Sequence, residues 1–306
     1  MTFSLVFEQL LNGLQYGVML FLMAAGLTLV LGIMNMVNLA HGSLYMLGAY
    51  LAVSGAKWTG SYLLGVLFGL AGTLVIGMAV EVIALRTLYQ RDHLDQVLAT
   101  FGLILFFNEL TALLWGRAAL YTSLPRYLQG HVPLFGNSTY PVYRLVVIAV
   151  GLLVAFALWY VVTRTRLGML IRAGASNRAM VAALGINIRL LYTVVFGFGA
   201  ALAGLAGIMA GPIYNVQPGM GEQVLIQVFV VIVIGGIGSV RGALVGAIIV
   251  GIVDTLGRAF LKPLMATIIS APAAESAGPA LASMLIYLLM AVVLAIRPQG
   301  LFPARG

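Results

Sequence analysis

The amino-acid sequence predicts an all-α, polytopic membrane protein with about eight or nine transmembrane segments, some of them short, broken or re-entrant. Hydrophobic residues make up 62% of the 306 residues and charged residues only 8%, whereas soluble domains carry about 25% charged residues. Many apolar runs approach the roughly 20 residues that a helix needs to cross a hydrocarbon layer. A β-barrel would instead show short alternating segments. We expect a single transmembrane domain over residues 1–306.

Nine apolar segments follow one another along the chain. They lie near 10–33, 36–55, 61–84, 96–115, 142–162, 191–212, 224–240, 242–256 and 281–296. The seventh and eighth are short and joined by a glycine-rich link, so they could form a re-entrant or broken pair. That alternative changes the number of spans and the side of the N-terminus.

The connection at 163–190 carries five arginines and no acidic residue. Short loops rich in arginine and lysine remain in the cytoplasm. Placing this loop inside puts the N-terminus outside and the C-terminus inside. The five residues are Arg164, Arg166, Arg172, Arg178 and Arg189.

Within this loop, the run from Ser176 to Gly185 is typical of a two-turn amphipathic helix. We expect Ser176 to cap its start and Gly185 to end it in the left-handed conformation. Met180, Ala183 and Leu184 recur at i, i+3 and i+4 and form one apolar face. Such a helix on the cytoplasmic side is suited to meeting a soluble partner.

Two outer connections are long. The tyrosine- and proline-rich stretch 116–141 suits an interfacial loop, or a docking surface for an external protein. The stretch 257–280 predicts a short helix and turns. Asp254 and Arg258 lie four apart just before it, a helical spacing that favours an ion pair.

Charged residues near the inner boundary of the spans, Glu81 and Arg86, are expected to snorkel towards water. Only Glu109 could provide an acid near the midplane, which weakens a proton-coupled mechanism.

The second apolar segment begins with a polar cluster of Asn38, His41 and Ser43, beside Gly42 and Tyr45. Such side chains are costly in hydrocarbon unless they are buried in protein or face water. Gly42 permits a break in the helix, of the kind transporters use to expose backbone groups. Two interpretations remain open: these residues line a substrate path, or they bond to neighbouring helices and fix the packing.

A weak internal repeat relates His41-Gly-Ser-Leu to Arg241-Gly-Ala-Leu. Two related halves around a central path would fit a transporter.

Several kinds of chemistry are excluded by composition. The chain has no cysteine and only three histidines, so we expect neither disulfides nor a metal site. No glycine-rich stretch carries the Lys-Ser/Thr of a phosphate loop. The arginines lie between spans, so no nucleic-acid partner is expected.

Blocks of residues throughout the chain resemble the LivH-type permeases, the membrane subunits of branched-chain amino acid ABC importers. They occur in the family's order, at residues 26–32, 38–50, 172–173, 182–187, 235–247 and 297–303.

The resemblance implies a non-enzymatic transport subunit in a bacterial or archaeal inner membrane. Its expected partners are a LivM-type permease paralogue, two cytoplasmic ATPase subunits that carry ATP and Mg²⁺, and a periplasmic substrate-binding protein. The 176–185 helix resembles a coupling helix, docking through its apolar face with Arg172, Arg178 and Arg189.

The expected substrate is a branched-chain amino acid or a related small polar solute, with urea, short amides and aromatic acids as alternatives. We expect Asn38, His41, Gly42, Ser43 and Tyr45 to line its path. The rival hypothesis from another class is a stand-alone channel or an ion-coupled carrier, neither of which needs an ATPase docking helix.

Overall fold

The fold is known from a computed structural model, which describes residues 3–134 and 138–302. Eleven α-helices dominate the described residues. They are α1 Phe3–Met34, α2 His41–Thr59, α3 Tyr62–Ile83, α4 His93–Trp115, α5 Val142–Arg164, α6 Arg166–Ser176, α7 Arg178–Ala183, α8 Ile188–Tyr214, α9 Met220–Gly235, α10 Val240–Met265 and α11 Ala271–Ile296. The all-α polytopic class is therefore confirmed.

Two short strands and two single turns of 3₁₀ helix complete the described elements. Strand β1, His131–Pro133, pairs antiparallel with β2, Thr139–Pro141. The 3₁₀ turns are Leu85–Leu88 and Arg126–Leu128. The predicted interfacial loop 116–141 thus contains a small hairpin.

Seven of the helices are long and apolar enough to cross a membrane: α1, α3, α4, α5, α8, α10 and α11. The other two apolar segments form α2, of 19 residues, and α9, of 16 residues. Each of the nine predicted segments therefore corresponds to a helix. The expectation of a short helix is confirmed for the seventh segment, α9, and is wrong for the eighth, which forms the 26-residue α10.

Contacts between helix ends define two opposite ends of the bundle. At the arginine end, which carries 163–190, the Thr193 hydroxyl at the start of α8 bonds to Glu81 near the end of α3. At the hairpin end, which carries β1 and β2, the backbones of Leu120 and Val216 pair beyond α4 and α8. Because each helix end can be assigned to the side of the arginine end or of the hairpin end, the direction in which each helix runs across the bundle is known.

The core lies around α1, α2 and α8. Most of α1 and α8 is buried, whereas α3, α4, α5 and α11 expose many large apolar side chains. Small residues allow the central helices to approach closely, because lipid provides no hydrophobic drive for helix association. A β-carbon at Gly69 of α3, for example, would lie 2.9 Å from the Gly48 carbonyl oxygen of α2.

The chain contains two inverted halves. In each, a long helix ends before an asparagine with positive φ, 51° at Asn35 and 62° at Asn215, a conformation that asparagine tolerates better than most residues. A short link then leads to α2 or to α9. Since α1 runs towards the arginine end and α8 towards the hairpin end, α2 and α9 also run in opposite directions.

Two predictions about this part of the chain are wrong. The counterpart of α2 is α9, which begins at Met220, and not the stretch at Arg241, which lies in the first turn of α10. The predicted turns at 257–280 are mostly helical, because α10 continues to Met265 and α11 begins at Ala271. Both helices extend through a proline, at Pro263 and at Pro279.

Candidate functional site

A cavity of about 700 Å³ lies in the half of the bundle towards the hairpin end. Its walls come from α1, α9 and α10, with contributions from α2, α5 and the end of α8. Most of its lining side chains are polar or charged. These are Gln9, Asn12, Gln15, Tyr16, Arg144, Tyr214, Asn215, Gln217, Gln223, Gln227, Asp254, Thr255 and Arg258.

Helical spacing places these polar groups on one face of each helix, and that face forms part of the cavity wall. On α1, Gln9, Asn12 and Tyr16 recur at i, i+3 and i+7, and on α9, Gln223 and Gln227 recur at i and i+4. A polar face on a helix at this depth is costly unless it meets water or protein. The cavity provides that polar environment.

Hydrogen bonds across the cavity hold its walls in register. The Tyr16 hydroxyl of α1 donates to the Gln227 side chain of α9. Arg144 at the start of α5 donates to the Asn12 side chain. Because each bond joins two helices, the polar walls are fixed relative to one another.

The predicted ion pair between Asp254 and Arg258 is confirmed and lies within this cavity. Arg258 Nε donates to Asp254 Oδ2 over 2.8 Å, and Nη2 donates to Oδ1 over 3.0 Å. The Asp254 side chain is only 6% exposed, whereas Arg258 is 53% exposed. The carboxylate thus sits deep in the wall and the guanidinium nearer the opening.

The apolar part of the cavity lining lies close to the meeting point of the inverted halves. Met19, Leu20, Met220 and Val224 provide it together with Tyr45. The first turns of α2 and α9 touch through glycines. A β-carbon at residue 42 would lie 2.7 Å from the carbonyl oxygen of residue 221, so both positions need glycine for this approach.

The five predicted path residues occupy two different places. Tyr45 lines the cavity. Asn38, His41 and Ser43 are buried at 0%, 0% and 4% exposure, and Gly42 is also buried; these four lie in the first turn of α2 and its preceding link and do not line the cavity. The Asn38 carboxamide accepts a hydrogen bond from the Ala40 amide over 3.0 Å, which is a local turn. Their role in transport stays a prediction.

A buried polar network lies at the arginine end. The Glu81 side chain, fully buried, accepts hydrogen bonds from Tyr89 over 2.6 Å, from Thr193 over 2.5 Å and from Arg86 over 3.1 Å. Burial and the bond to Glu81 raise the pKa of Tyr89, so its hydroxyl remains a donor at neutral pH. The expectation that Glu81 snorkels is wrong, because these donors satisfy it inside the protein.

The exposed surface of the arginine end is formed by α6 and α7. The prediction that Ser176 caps the amphipathic helix is wrong: Ser176 ends α6, and Asn177, with extended backbone, accepts from the Met180 amide over 3.0 Å. Gly185 does adopt the predicted positive φ, at 83°. The helix is consequently shorter than expected, running from Arg178 to Ala183.

The predicted apolar face of α7 points away from the protein. Met180 is 60% exposed and Leu184 is 73% exposed, while Val181 is the residue of α7 that is buried. Ala183 and Arg178 are also exposed. Arg172 donates to the Val162 carbonyl oxygen and so ties α6 to the end of α5. The surface formed by Arg178, Met180, Ala183 and Leu184 is called the α7 patch below.

Most residues that line the cavity were not predicted from the sequence. The signal that could have revealed them is the recurrence of polar residues at helical spacing on α1 and α9, comparable to the spacing that did reveal Asp254 and Arg258. A single polar residue such as Gln217, in the link before α9, gave no such signal. Sequence alone also could not show that these helices face one another.

An all-helical, multi-pass membrane protein with a polar cavity between inverted halves has the construction of a permease. The comparisons with known proteins agree. Residues 9–294 match the family model described as "Branched-chain amino acid transport system / permease component". The chain belongs to this family.

Individual relatives match over almost the whole chain. The high-affinity branched-chain amino acid transport system permease proteins BraD of Pseudomonas aeruginosa and LivH of Escherichia coli are each 30% identical, over 96% of this chain and 94% of each relative. A probable branched-chain amino acid transport permease protein LivH of Methanocaldococcus jannaschii is 27% identical over 82% of this chain and 81% of its own length. No solved structure matches.

Proposed function

We propose that this chain is the permease subunit of an ATP-binding cassette importer that moves branched-chain amino acids inward across a bacterial or archaeal inner membrane. The observation that carries the proposal is the 700 Å³ polar cavity between inverted halves in a member of this permease family. The names of the relatives support the substrate class. The arginine end lies in the cytoplasm, because its five arginines disfavour translocation.

The direction of transport follows from this orientation. The hairpin end, and with it the cavity, faces the outside, where a substrate-binding protein delivers the solute. A second permease subunit of the LivM type completes the cavity along the exposed edge formed by Tyr214, Gln217 and Gln223. The exposed polar groups on that edge favour a partner of the same kind over lipid.

The energy comes from two cytoplasmic ATPase subunits, which hold the ATP and Mg²⁺. They dock on the α7 patch, which combines exposed apolar side chains with the positive charge of Arg178. Movement of the α7 patch is transmitted to the bundle through the hydrogen bonds of Glu81. These bonds join α3 to α8 beside α7.

Transport assays test this function directly. We expect radiolabelled leucine to enter proteoliposomes that contain the whole complex only when ATP and the binding protein are both supplied. Met180→Asp, which places a charge in the α7 patch, should abolish both uptake and co-purification of the ATPase subunits, because a buried unpaired charge is strongly unfavourable.

The matched control for Met180→Asp is Ile268→Asp. Ile268 is also apolar and exposed, at 71%, but lies in the link between α10 and α11 at the opposite end. It should leave co-purification of the ATPase subunits intact. Uptake without ATP would contradict the proposal and favour a stand-alone channel, whereas uptake that follows an ion gradient would favour a coupled carrier.

A further inference from the structure

Asp254 and Arg258 place a full negative and a full positive charge within the outer half of the bundle. Both line the cavity, and Asp254 lies near the middle of the 26-residue α10. Ionised side chains at such depth are rare and expensive, and they mark sites of function more often than sites of packing.

Hydrogen bonds do not tie this pair to a neighbouring helix. Among the described residues, both side-chain hydrogen bonds of the pair join residues of α10 itself. The close approaches of α10 run through glycines instead. A β-carbon at Gly257 would lie 2.6 Å from Leu285 Cδ1 of α11, and one at Gly13 of α1 would lie 2.8 Å from the Ile252 Cα.

The Asp254–Arg258 pair can bind both charged groups of a zwitterion. An α-amino acid carries an ammonium and a carboxylate on the same carbon. Asp254 provides acceptor oxygens for the ammonium, and Arg258 commits only Nε and Nη2 to Asp254, which leaves guanidinium N–H groups for a carboxylate. Arg144, also in the lining, adds positive charge that favours the carboxylate further.

The rest of the cavity suits an aliphatic side chain. The α1 residues that line it run from Gln9 to Leu20, and successive residues of a helix are about 1.5 Å apart along its axis. Apolar lining comes from Met19 and Leu20 of α1 and from Met220 and Val224 of α9, beside the polar groups of the same helices. A substrate that combines charged groups with an aliphatic chain therefore finds partners for both in this cavity.

We propose that Asp254 and Arg258 are the specificity-determining residues that recognise the ammonium and the carboxylate of the transported α-amino acid. This inference rests on the proposed function. The aliphatic side chain then lies against the apolar lining residues Met19, Leu20, Met220 and Val224. A neutral amide or urea satisfies neither charge, so the site discriminates against these two classes of solute.

The test is leucine uptake by the whole complex carrying Asp254→Asn with Arg258→Gln. Removing both charges together leaves no unpaired charge in the wall, so this double variant is expected to fold. Uptake should fall about tenfold or more, as expected when charge-assisted hydrogen bonds to substrate are lost. Stimulation of the ATPase by the loaded binding protein should remain, which shows that assembly is intact.

A charge swap, Asp254→Arg with Arg258→Asp, separates recognition from structure. It keeps an ion pair at i and i+4 but reverses its polarity, so uptake should stay low although the complex forms. Uptake near the wild-type rate in either double variant would overturn the inference. Absence of ATP-driven leucine uptake in the wild-type complex would instead contradict the proposed function itself.

Discussion

Replacing Gly207 with isoleucine should prevent the central helices from packing and so abolish the folded protein. Gly207 of α8 lies against the backbone of α2, and a β-carbon there would overlap the Tyr45 carbonyl oxygen and lie 2.8 Å from the Tyr45 carbonyl carbon. Backbone atoms cannot rotate away as a side chain does. We expect a cost above about 3 kcal/mol, the upper part of the usual range for overpacking.

Gly102→Ile is the matched control for this substitution. Gly102 lies within α4 and is exposed, and a β-carbon there would meet no atom within 4 Å. Both variants put the same β-branched residue inside a helix, so they differ only in the space available. Size-exclusion profiles in detergent should show a monodisperse Gly102→Ile protein and an aggregated Gly207→Ile protein. Equal behaviour of the two variants would refute the packing argument.

Glu81→Ala should destabilise the arginine end. The substitution removes the acceptor shared by Arg86, Tyr89 and Thr193, so the Arg86 guanidinium loses its counter-charge and the Tyr89 hydroxyl loses this acceptor. Removing one member of a buried ion pair costs about 3–5 kcal/mol, and we expect about 3 kcal/mol because Arg86 is 32% exposed. The measurement is the melting temperature of the purified protein.

A second carboxylate controls for the loss of charge. Glu109 pairs with Arg117 over 3.0 Å, but the two side chains are 71% and 78% exposed. Glu109→Ala should change the melting temperature little, since exposed pairs contribute about 0–1 kcal/mol. A similar fall in both variants would show that the network at Glu81 has no special role in stability.

The helices could largely be predicted from the sequence, because hydrophobic runs and the cost of unsatisfied backbone groups in lipid leave few alternatives. The sequence predicts a segment at 36–55 with a possible break at Gly42, whereas α2 begins at His41. The link between α8 and α9 falls in the gap predicted between residues 212 and 224, but the positive φ of Asn215 in that link could not be predicted. Similarly, Asn177 rather than Ser176 caps α7, a choice between neighbouring residues that tertiary packing makes.

The candidate site was less predictable. Gln15 of α1 and Asp254 of α10 share one cavity although they are far apart in the sequence. Only the fold decides which polar helix faces meet. Charge spacing revealed the Asp254–Arg258 pair, but it could not show that the pair lines a cavity.

The central claim, that this cavity is the path of the solute, is tested most directly by a single cysteine at Thr255. The chain contains no cysteine, so Thr255→Cys would provide its only thiol, and Thr255 lines the cavity beside Asp254. A membrane-impermeant thiol reagent added outside should modify this cysteine in the resting complex. Loaded binding protein with ATP should slow the modification several-fold, because the cavity fills and closes.

Thr267→Cys, exposed in the link after α10, is the control and should react at the same rate in both conditions. Slowing of the reaction at Thr255→Cys alone is the result that we predict. A reaction at Thr255→Cys that is unaffected by substrate delivery and ATP, in a complex that still transports leucine, would show that the solute crosses elsewhere.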